Sequence, residues 1–166
     1  MNTKDFESLS SMLKQSGNFN SGILFLTKTI CITNDWPYGE IWHPDKKDKY
    51  MIWSGSWSRN EEYFEEFSKF SLLHKFARGV GLIGKTWEQK KLVWMEDFSK
   101  DNEFLRSDIA QVKGLNTAVG IPILNNGKVI CLLCFFLNKL SLSDKEDAEL
   151  LFKNSEIIGE ILVNLN

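Results

Sequence analysis

The strongest constraint on the fold is the segment TAVGIPILNNGKVICLLCFF (117–136), which has an Asn126-Gly127 pair at its middle. An Asn-Gly pair between two runs of strand-forming residues is a strong signal for a tight β-hairpin. The turn predicts three cross-strand pairs: Leu124 with Val129, Gly120 with Leu133, and Ala118 with Phe135. Both faces of the hairpin are apolar, so we predict that it lies in the middle of an antiparallel sheet that is covered on both sides.

Helical and extended patterns surround this hairpin in a definite order. Apolar residues recur at helical spacing in two segments before residue 36, in NEEYFEEFSKFSLL (60–73), in DNEFLRSDIAQVKG (101–114) and in one long segment over 143–164, where Ser143 and Glu146 form a predicted capping box. Strands are predicted for YGEIWHP, YMIWSGSW and LVWMED. This order predicts an α+β fold, an antiparallel sheet with helices on both sides.

Composition and charge exclude several classes of protein. The net charge of −2 gives no overall field that would attract nucleic acid or an anionic membrane. The N-terminal residues are polar, and no apolar run approaches the roughly 20 residues of a membrane span. We therefore expect a cytoplasmic protein with no nucleic-acid or membrane partner.

The cysteines predict neither disulfides nor a metal or redox site. Their number, three, is odd, and they lack the spacing of a disulfide framework. Cys131 and Cys134 lie within one predicted strand, and at that spacing their side chains point to opposite faces. Cys31 is predicted on a helix, facing the core. We therefore interpret all three as buried apolar residues.

The segment ARGVGLIGKTW (77–87) matches two phosphate-binding patterns, G-x-x-x-x-G-K-T and G-x-G-x-x-G. Both patterns require a buried strand, a helix and a crossover to a parallel strand, which needs a dozen or more residues. Only WEQKK separates Thr86 from the next apolar strand. We therefore predict that the glycines over 79–84 form a tight backbone turn that leads into a second turn at TWEQ. A nucleotide-binding enzyme is kept as an alternative hypothesis.

From Ala77 to Phe136 the chain resembles the second half of a GAF domain. The matches are Gly79, Gly81, Leu82, Gly84, Trp87, Trp94, Asp97, Phe104, Arg106, Gly114, Leu115, Pro122, Gly127, Phe135 and Phe136. The earlier stretch CITNDWPYGEIWHPD (31–45) resembles GAF domains of bacterial, especially cyanobacterial, signalling proteins.

The resemblance implies one domain over residues 1–166. It comprises N-terminal helices over 3–35, a sheet with a pocket over 36–137 and a C-terminal helix over 143–164. The terminal helices are expected on one face of the sheet and a ligand pocket on the other. Members of the family serve as sensor inputs that bind cyclic nucleotides, bilins, haem, small metabolites or nothing, and often dimerise through terminal helices. The wide apolar stripe of residues 148–165 agrees with a homodimer.

The resemblance also places a set of side chains around the pocket: Trp53, Trp57, Phe76, Trp87, Trp94 and Phe104, with Arg106 or Asp97 to orient a charged ligand. Apolar walls with a few polar groups are the usual composition of a small-ligand site. The same aromatics would equally fill the cavity themselves, which leaves a scaffold that binds no ligand.

The chain departs from two specialised branches of the family. Bilin receptors attach their pigment through a cysteine, and DNEFLRSDIAQVKG has neither Cys nor His, which argues against covalent bilin. GAF-fold enzymes that reduce free methionine sulfoxide need loop cysteines, where this chain has Lys75 and Arg78. We therefore predict a non-catalytic, small-molecule-sensing or regulatory domain in signalling, with its cofactor unknown. The alternative is a ligand-free dimerisation or partner-binding scaffold.

Overall fold

The computed structural model describes residues 3–100 and 106–165. Its helices are α1 (Thr3–Leu13), α2 (Phe19–Asn34), α3 (Glu61–Leu72), α4 (Gly81–Gln89), α5 (Ser107–Val112), α6 (Leu142–Lys153) and α7 (Ser155–Val163). Its strands are β1 (Tyr38–Pro44), β2 (Met51–Ser58), β3 (Lys75–Phe76), β4 (Val93–Met95), β5 (Thr117–Asn125) and β6 (Lys128–Leu137). A 3-10 turn spans Phe98–Lys100.

The strands form one sheet in the order β3-β2-β1-β6-β5-β4. Each of the pairings between them is antiparallel. The β5–β6 hairpin lies inside this sheet, with β1 on one side and β4 on the other. The predicted α+β class and the central position of the hairpin are therefore confirmed.

The predicted register of the hairpin is right only next to its turn. Leu124 pairs with Val129, but the register shifts between Ile123 and Leu124, so that Ile123 pairs with Cys131. The extra residue moves every later pair by one position, and Gly120 faces Cys134. The sequence pattern gave no sign of this bulge, because both faces of β6 are apolar and either register buries them.

The terminal helices cover one face of the sheet, which we call the helix face. Their apolar side chains form a core with inward residues of the sheet such as Ile121, Leu133 and Phe135. Helix α7 approaches β5 so closely that a Cβ on Gly159 would lie 1.8 Å from the Leu124 carbonyl oxygen. Only glycine therefore allows this helix to rest on the strand.

Two predicted helix boundaries are wrong. The single C-terminal helix over 143–164 is two helices that meet at Asn154, which ends α6 and begins α7. The capping box uses Ser141 and Asp144, not Ser143 and Glu146. The Asp144 side chain also accepts a 2.7 Å hydrogen bond from Trp36 Nε1, which fixes the start of α6 against the N-terminal half.

Helices α3, α4 and α5 cover the opposite face, which we call the lid face. A second buried cluster fills the space beneath them, with Trp42, Phe67, Trp87 and Phe136 among its largest members. The chain is thus a three-layer structure of helices, sheet and helices, with a separate core on each side of the sheet.

The glycine-rich segment is not the turn that the sequence predicts. Residues 81–89 form helix α4. Gly79 and Gly81 have φ values of +77° and +59°, which glycine adopts without strain, and they bring the chain into the helix. A Cβ on Gly84 would lie 2.1 Å from the Ala77 carbonyl oxygen. These glycines therefore shape the backbone, as expected, although the product is a helix.

Candidate functional site

Strand β1 presents three side chains of unlike chemistry on the lid face: Tyr38, Glu40 and Trp42. They alternate along the strand with Gly39 and Ile41, so the period of two places them on one side. All three are buried, and Glu40 has no exposed surface. A carboxylate so placed needs hydrogen-bond donors and an opposite charge.

Arg106, next to the N-terminus of α5, supplies that charge. Its Nη1 lies 2.7 Å from Glu40 Oε1 and its Nη2 lies 3.1 Å from Glu40 Oε2, a two-pronged ion pair with the arginine 4% exposed. The Tyr38 hydroxyl donates to Glu40 Oε1 at 3.2 Å and Trp42 Nε1 donates to Glu40 Oε2 at 3.1 Å. The Ser71 hydroxyl of α3 donates to Glu40 Oε1 and accepts from Arg106. One carboxylate therefore joins β1, α3 and the start of α5.

Aromatic rings enclose the guanidinium group of Arg106. Its central carbon lies 4.3 Å from the centre of the Phe67 ring and 4.8 Å from that of Phe136. Burial, the largest single influence, lowers the pKa of Arg106, but the charge and hydrogen bonds of Glu40, with smaller contributions from Cys134 and Tyr38, together raise that pKa above its usual value. Arg106 is therefore a fixed positive charge, neutralised within the lid face and stabilised by ring faces.

The neighbouring acidic groups stay protonated. Burial, with the charge of Glu40 next, raises the pKa of the Tyr38 hydroxyl. Burial and then Glu40 likewise raise the pKa of the Cys134 thiol, which lies on the lid face. The site thus offers neutral hydroxyl and thiol groups around one ion pair.

Four of the eight predicted pocket residues lie on the lid face: Trp53, Phe76, Trp87 and Arg106. Phe76 packs edge-on against Trp42 with ring centres 5.2 Å apart. Trp87 is buried under Arg78, whose guanidinium carbon lies 3.7 Å from the centre of the indole ring. The structure brings these aromatics together in one core.

The other four do not join that group. Trp57 and Trp94 pack against the helix-face core, on the far side of the sheet. A register shift at Ile41/Trp42 pairs Trp42 with Trp53 and Ile41 with Gly55, so Trp57 faces away from Trp53. Asp97 is partly exposed and forms a 3.1 Å ion pair with Lys100. Phe104 lies outside the described residues.

Sequence reasoning missed the partners of Arg106. Glu40 is the one acidic residue of YGEIWHP, and it shares its strand face with two aromatic positions. An acid in that position is costly unless it is paired, so the pattern carried a usable signal. Ser71 gave no such signal, because its contact with Glu40 depends on how α3 crosses the sheet.

The phosphate-loop match does not form a phosphate loop. Gly84, Lys85 and Thr86 lie within α4, not at its start. The Thr86 hydroxyl is buried and donates to the Leu82 carbonyl oxygen at 2.8 Å. The strand before the helix, β3, is a two-residue strand at the sheet edge that pairs antiparallel with β2. The backbone therefore lacks the strand–loop–helix geometry that holds phosphate.

The three cysteines are buried and separate, as predicted. Cys31 and Cys131 lie in the helix-face core and Cys134 in the lid-face core. Burial raises the pKa of all three thiols, so they are protonated and weakly nucleophilic near neutral pH.

A family model described as GAF domain matches residues 25–163 of this chain. The chain belongs to the GAF domain family. The match includes the whole sheet and the ion pair between Glu40 and Arg106, and GAF domains generally act in signalling or sensing. No match is found among the curated proteins.

Solved GAF domains share this fold at low sequence identity. The GAF domain of a phosphoenolpyruvate-protein phosphotransferase from Coxiella burnetii superposes with a TM-score of 0.75 at 13% identity, covering 96% of this chain and 91% of that one. The free methionine-R-sulfoxide reductase of Neisseria meningitidis, in complex with its substrate, gives 0.72 at 12% identity, covering 93% and 84%. These likenesses establish the fold.

Among the residues that the structure describes, no helix has both the length and the apolarity to cross a membrane.

Proposed function

We propose that this GAF domain is a non-catalytic regulatory module that binds a small molecule on the lid face and acts in signalling. The observation that carries the proposal is the ion pair of Glu40 and Arg106, buried beneath the lid helices among aromatic rings. The ligand class that suits this face is a small planar molecule with an anionic group, because the rings offer stacking surfaces and Arg106 offers a guanidinium fork.

A stability role alone does not account for this ion pair. Replacing a buried ion pair by apolar side chains is often neutral or stabilising, because desolvation offsets the attraction between the charges. Buried charges with shifted pKa values are common at functional sites, where function requires them. An anionic ligand competes with Glu40 for Arg106, while Glu40 keeps neutral donors from Tyr38, Trp42 and Ser71.

The cysteine positions support a role without thiol chemistry. A reducing enzyme of this fold would need reactive thiols in loops, whereas these lie within α2 and β6. Their raised pKa values hold them in the unreactive form. Binding, and not turnover, is therefore the function that we assign to the lid face.

A second candidate function is a ligand-free dimerisation scaffold. Two observations favour it. The rings of Trp42, Trp87, Phe67 and Phe136 are almost completely buried, so they fill much of the lid face themselves. The terminal helices also expose apolar side chains that a homodimer would cover: Met12, Leu24, Ile32, Ile157 and Val163.

Thermal unfolding with small-molecule probes separates the two functions. The probes are the 3′,5′-cyclic nucleotides, each at 1 mM, because they join a planar base to an anionic phosphate. A probe present at 100 times its Kd stabilises the fold by about 2.7 kcal/mol, which raises Tm by roughly 5–10 °C for a chain of this size. Arg106→Lys, which replaces the two-pronged guanidinium group by an ammonium group, should abolish the rise. Arg59→Lys, at an exposed arginine paired with Asp35, is the matched control that should keep it.

An unchanged Tm for every probe, together with a concentration-dependent dimer in analytical ultracentrifugation, would favour the scaffold and reject the ligand-binding function.

A further inference from the structure

Strand β2 has a free edge over most of its length. Its inner edge pairs with β1 from Met51 to Ser58. Its outer edge pairs with β3 only at Met51 and Ile52, so within residues 3–100 and 106–165 the outer edge over 53–58 has no strand partner. Such an edge presents backbone N–H and C=O groups that can pair with another extended chain.

The side chains along this edge do not protect it. Natural proteins guard free edges with charged residues or proline, yet residues 53–58 read WSGSWS. The one extra residue of β2, near Ser54, disturbs the regular hydrogen-bond ladder only at the start of the edge formed by residues 53–58. An unprotected edge of this length is either an aggregation hazard or a docking surface, and the groove beside it favours docking.

Helix α3 forms the wall of that groove. It begins at Glu61, shortly after β2 ends, and runs back alongside the strand to Leu72. A cleft of about 400 Å³ separates the two. We call this cleft the edge groove, and it is lined by Tyr38, Trp53, Gly55, Ser56, Ser58, Glu61, Phe64, Glu65 and Ser68.

Two features of the edge groove indicate what binds there. The indole nitrogen of Trp53 is buried, and in the described part of the chain it has no hydrogen-bond acceptor. Because this nitrogen is buried, a peptide carbonyl would supply the acceptor after the indole ring turns toward the edge groove on binding. On the helix side, Glu61 and Glu65 are both exposed and acidic, and Lys69 contacts only the second, at 2.6 Å. The wall therefore favours positively charged side chains.

We propose that the edge groove binds an extended, basic segment of a partner protein, which adds as a strand to the outer edge of β2. Backbone hydrogen bonds to residues 53–58 would give the affinity, and lysine or arginine side chains facing Glu61 and Glu65 would give the specificity. An apolar residue between the two basic ones would contact Trp53 and Phe64. The edge groove shares Tyr38 with the candidate site, because Tyr38 lines the groove and also donates to Glu40. The strand pairing itself uses the backbone of β2 and does not require the proposed small ligand.

The test uses the capped hexapeptide acetyl-TKTVTK-amide, whose lysines and valine share one face when the peptide is extended. Binding to the full chain is measured by calorimetry, and amide hydrogen exchange is followed over residues 51–58. We expect slower exchange at alternate amides of 53–58 and weaker binding at higher salt. The peptide acetyl-TETVTE-amide should bind at least tenfold more weakly.

Matched variants on the same helix and strand isolate the groove. Glu61→Lys with Glu65→Lys should weaken binding at least tenfold, whereas Glu62→Lys with Glu66→Lys, the same charge change on α3 outside the groove lining, should change it less than threefold. Trp53→Phe removes the indole donor and should weaken binding about twofold to tenfold. Trp57→Phe, on the opposite face of the strand, should leave the affinity unchanged.

Three results would overturn the proposal. The first is no binding and no protection of 53–58 at 1 mM peptide. The second is equal weakening by the two glutamate pairs. The third is protection of 53–58 in the protein alone that increases with concentration, because the edge would then belong to a second copy of this chain.

Discussion

Replacing one partner of the buried ion pair between Glu40 and Arg106 should cost more stability than replacing both partners together. Glu40 and Arg106 are 0% and 4% exposed, and two contacts of 2.7 and 3.1 Å join them. Removing one partner of such a pair leaves an uncompensated buried charge, at a cost of about 3–5 kcal/mol. Replacing both by methionine leaves no charge but also leaves the Tyr38 hydroxyl and Trp42 Nε1 without an acceptor, so the double variant should lose about 2 kcal/mol.

The two single variants should differ in a definite direction. Glu40→Met removes the acceptor of Tyr38 and Trp42 as well as the partner of Arg106. Arg106→Met leaves the carboxylate with neutral donors that still solvate it, including Ser71. We therefore expect losses of about 5 kcal/mol for Glu40→Met and about 3 kcal/mol for Arg106→Met.

Urea unfolding of the wild type and the three variants, followed by circular dichroism, gives the four free energies of the double-mutant cycle. The expected coupling between the two positions, the sum of the single losses minus the loss in the double variant, is about 6 kcal/mol. Single variants within about 1 kcal/mol of the wild type, or a double variant whose loss equals the sum of the singles, would refute the role of the carboxylate as the charge partner.

Three further predictions test other parts of the structure. Gly159→Ala places a Cβ where the Leu124 carbonyl oxygen lies, so chemical unfolding should show a loss of about 3 kcal/mol, and an unchanged free energy would contradict the close approach of α7. The cysteine thiols, whose pKa is raised by burial, should react with an aromatic disulfide reagent only after unfolding, and fast labelling of the folded chain would show otherwise. Burial lowers the pKa of His43, so the unfolded state binds more protons below about pH 6.5 and stability falls as the pH falls through that range. The drop in Tm between pH 7.5 and 5.5 should shrink in His43→Asn and persist in His74→Asn.

The sequence predicted which segments form strands and helices better than it predicted helix breaks and strand registers. Strand β1 spans the same residues as the quoted YGEIWHP, because alternation along a strand is a local property. The break at Asn154 and the bulge near Ile123 were missed, since each depends on how an element fits its neighbours. Helix α4 was missed because its two glycines, Gly81 and Gly84, are poor helix formers, and tertiary contacts decide that helix.

The sequence likewise predicted only some of the side chains that lie together at the candidate site. Arg106 and Trp87 were both predicted to line the pocket, and the structure places both on the lid face. Their part in ligand binding stays a prediction. Trp57 was assigned to the wrong side because one extra residue in β2 reverses the alternation after Trp53. Glu40, the centre of the hydrogen bonds, was recoverable from its position between two aromatics on one strand face.

Helices α3 and α5 depend on the same anchor, since Ser71 and Arg106 both bond to Glu40. A molecule that draws the guanidinium away also removes the bond that Arg106 makes to Ser71. Under the proposed function, a small molecule bound at Arg106 would therefore act on α3 and on the start of α5 through this one carboxylate.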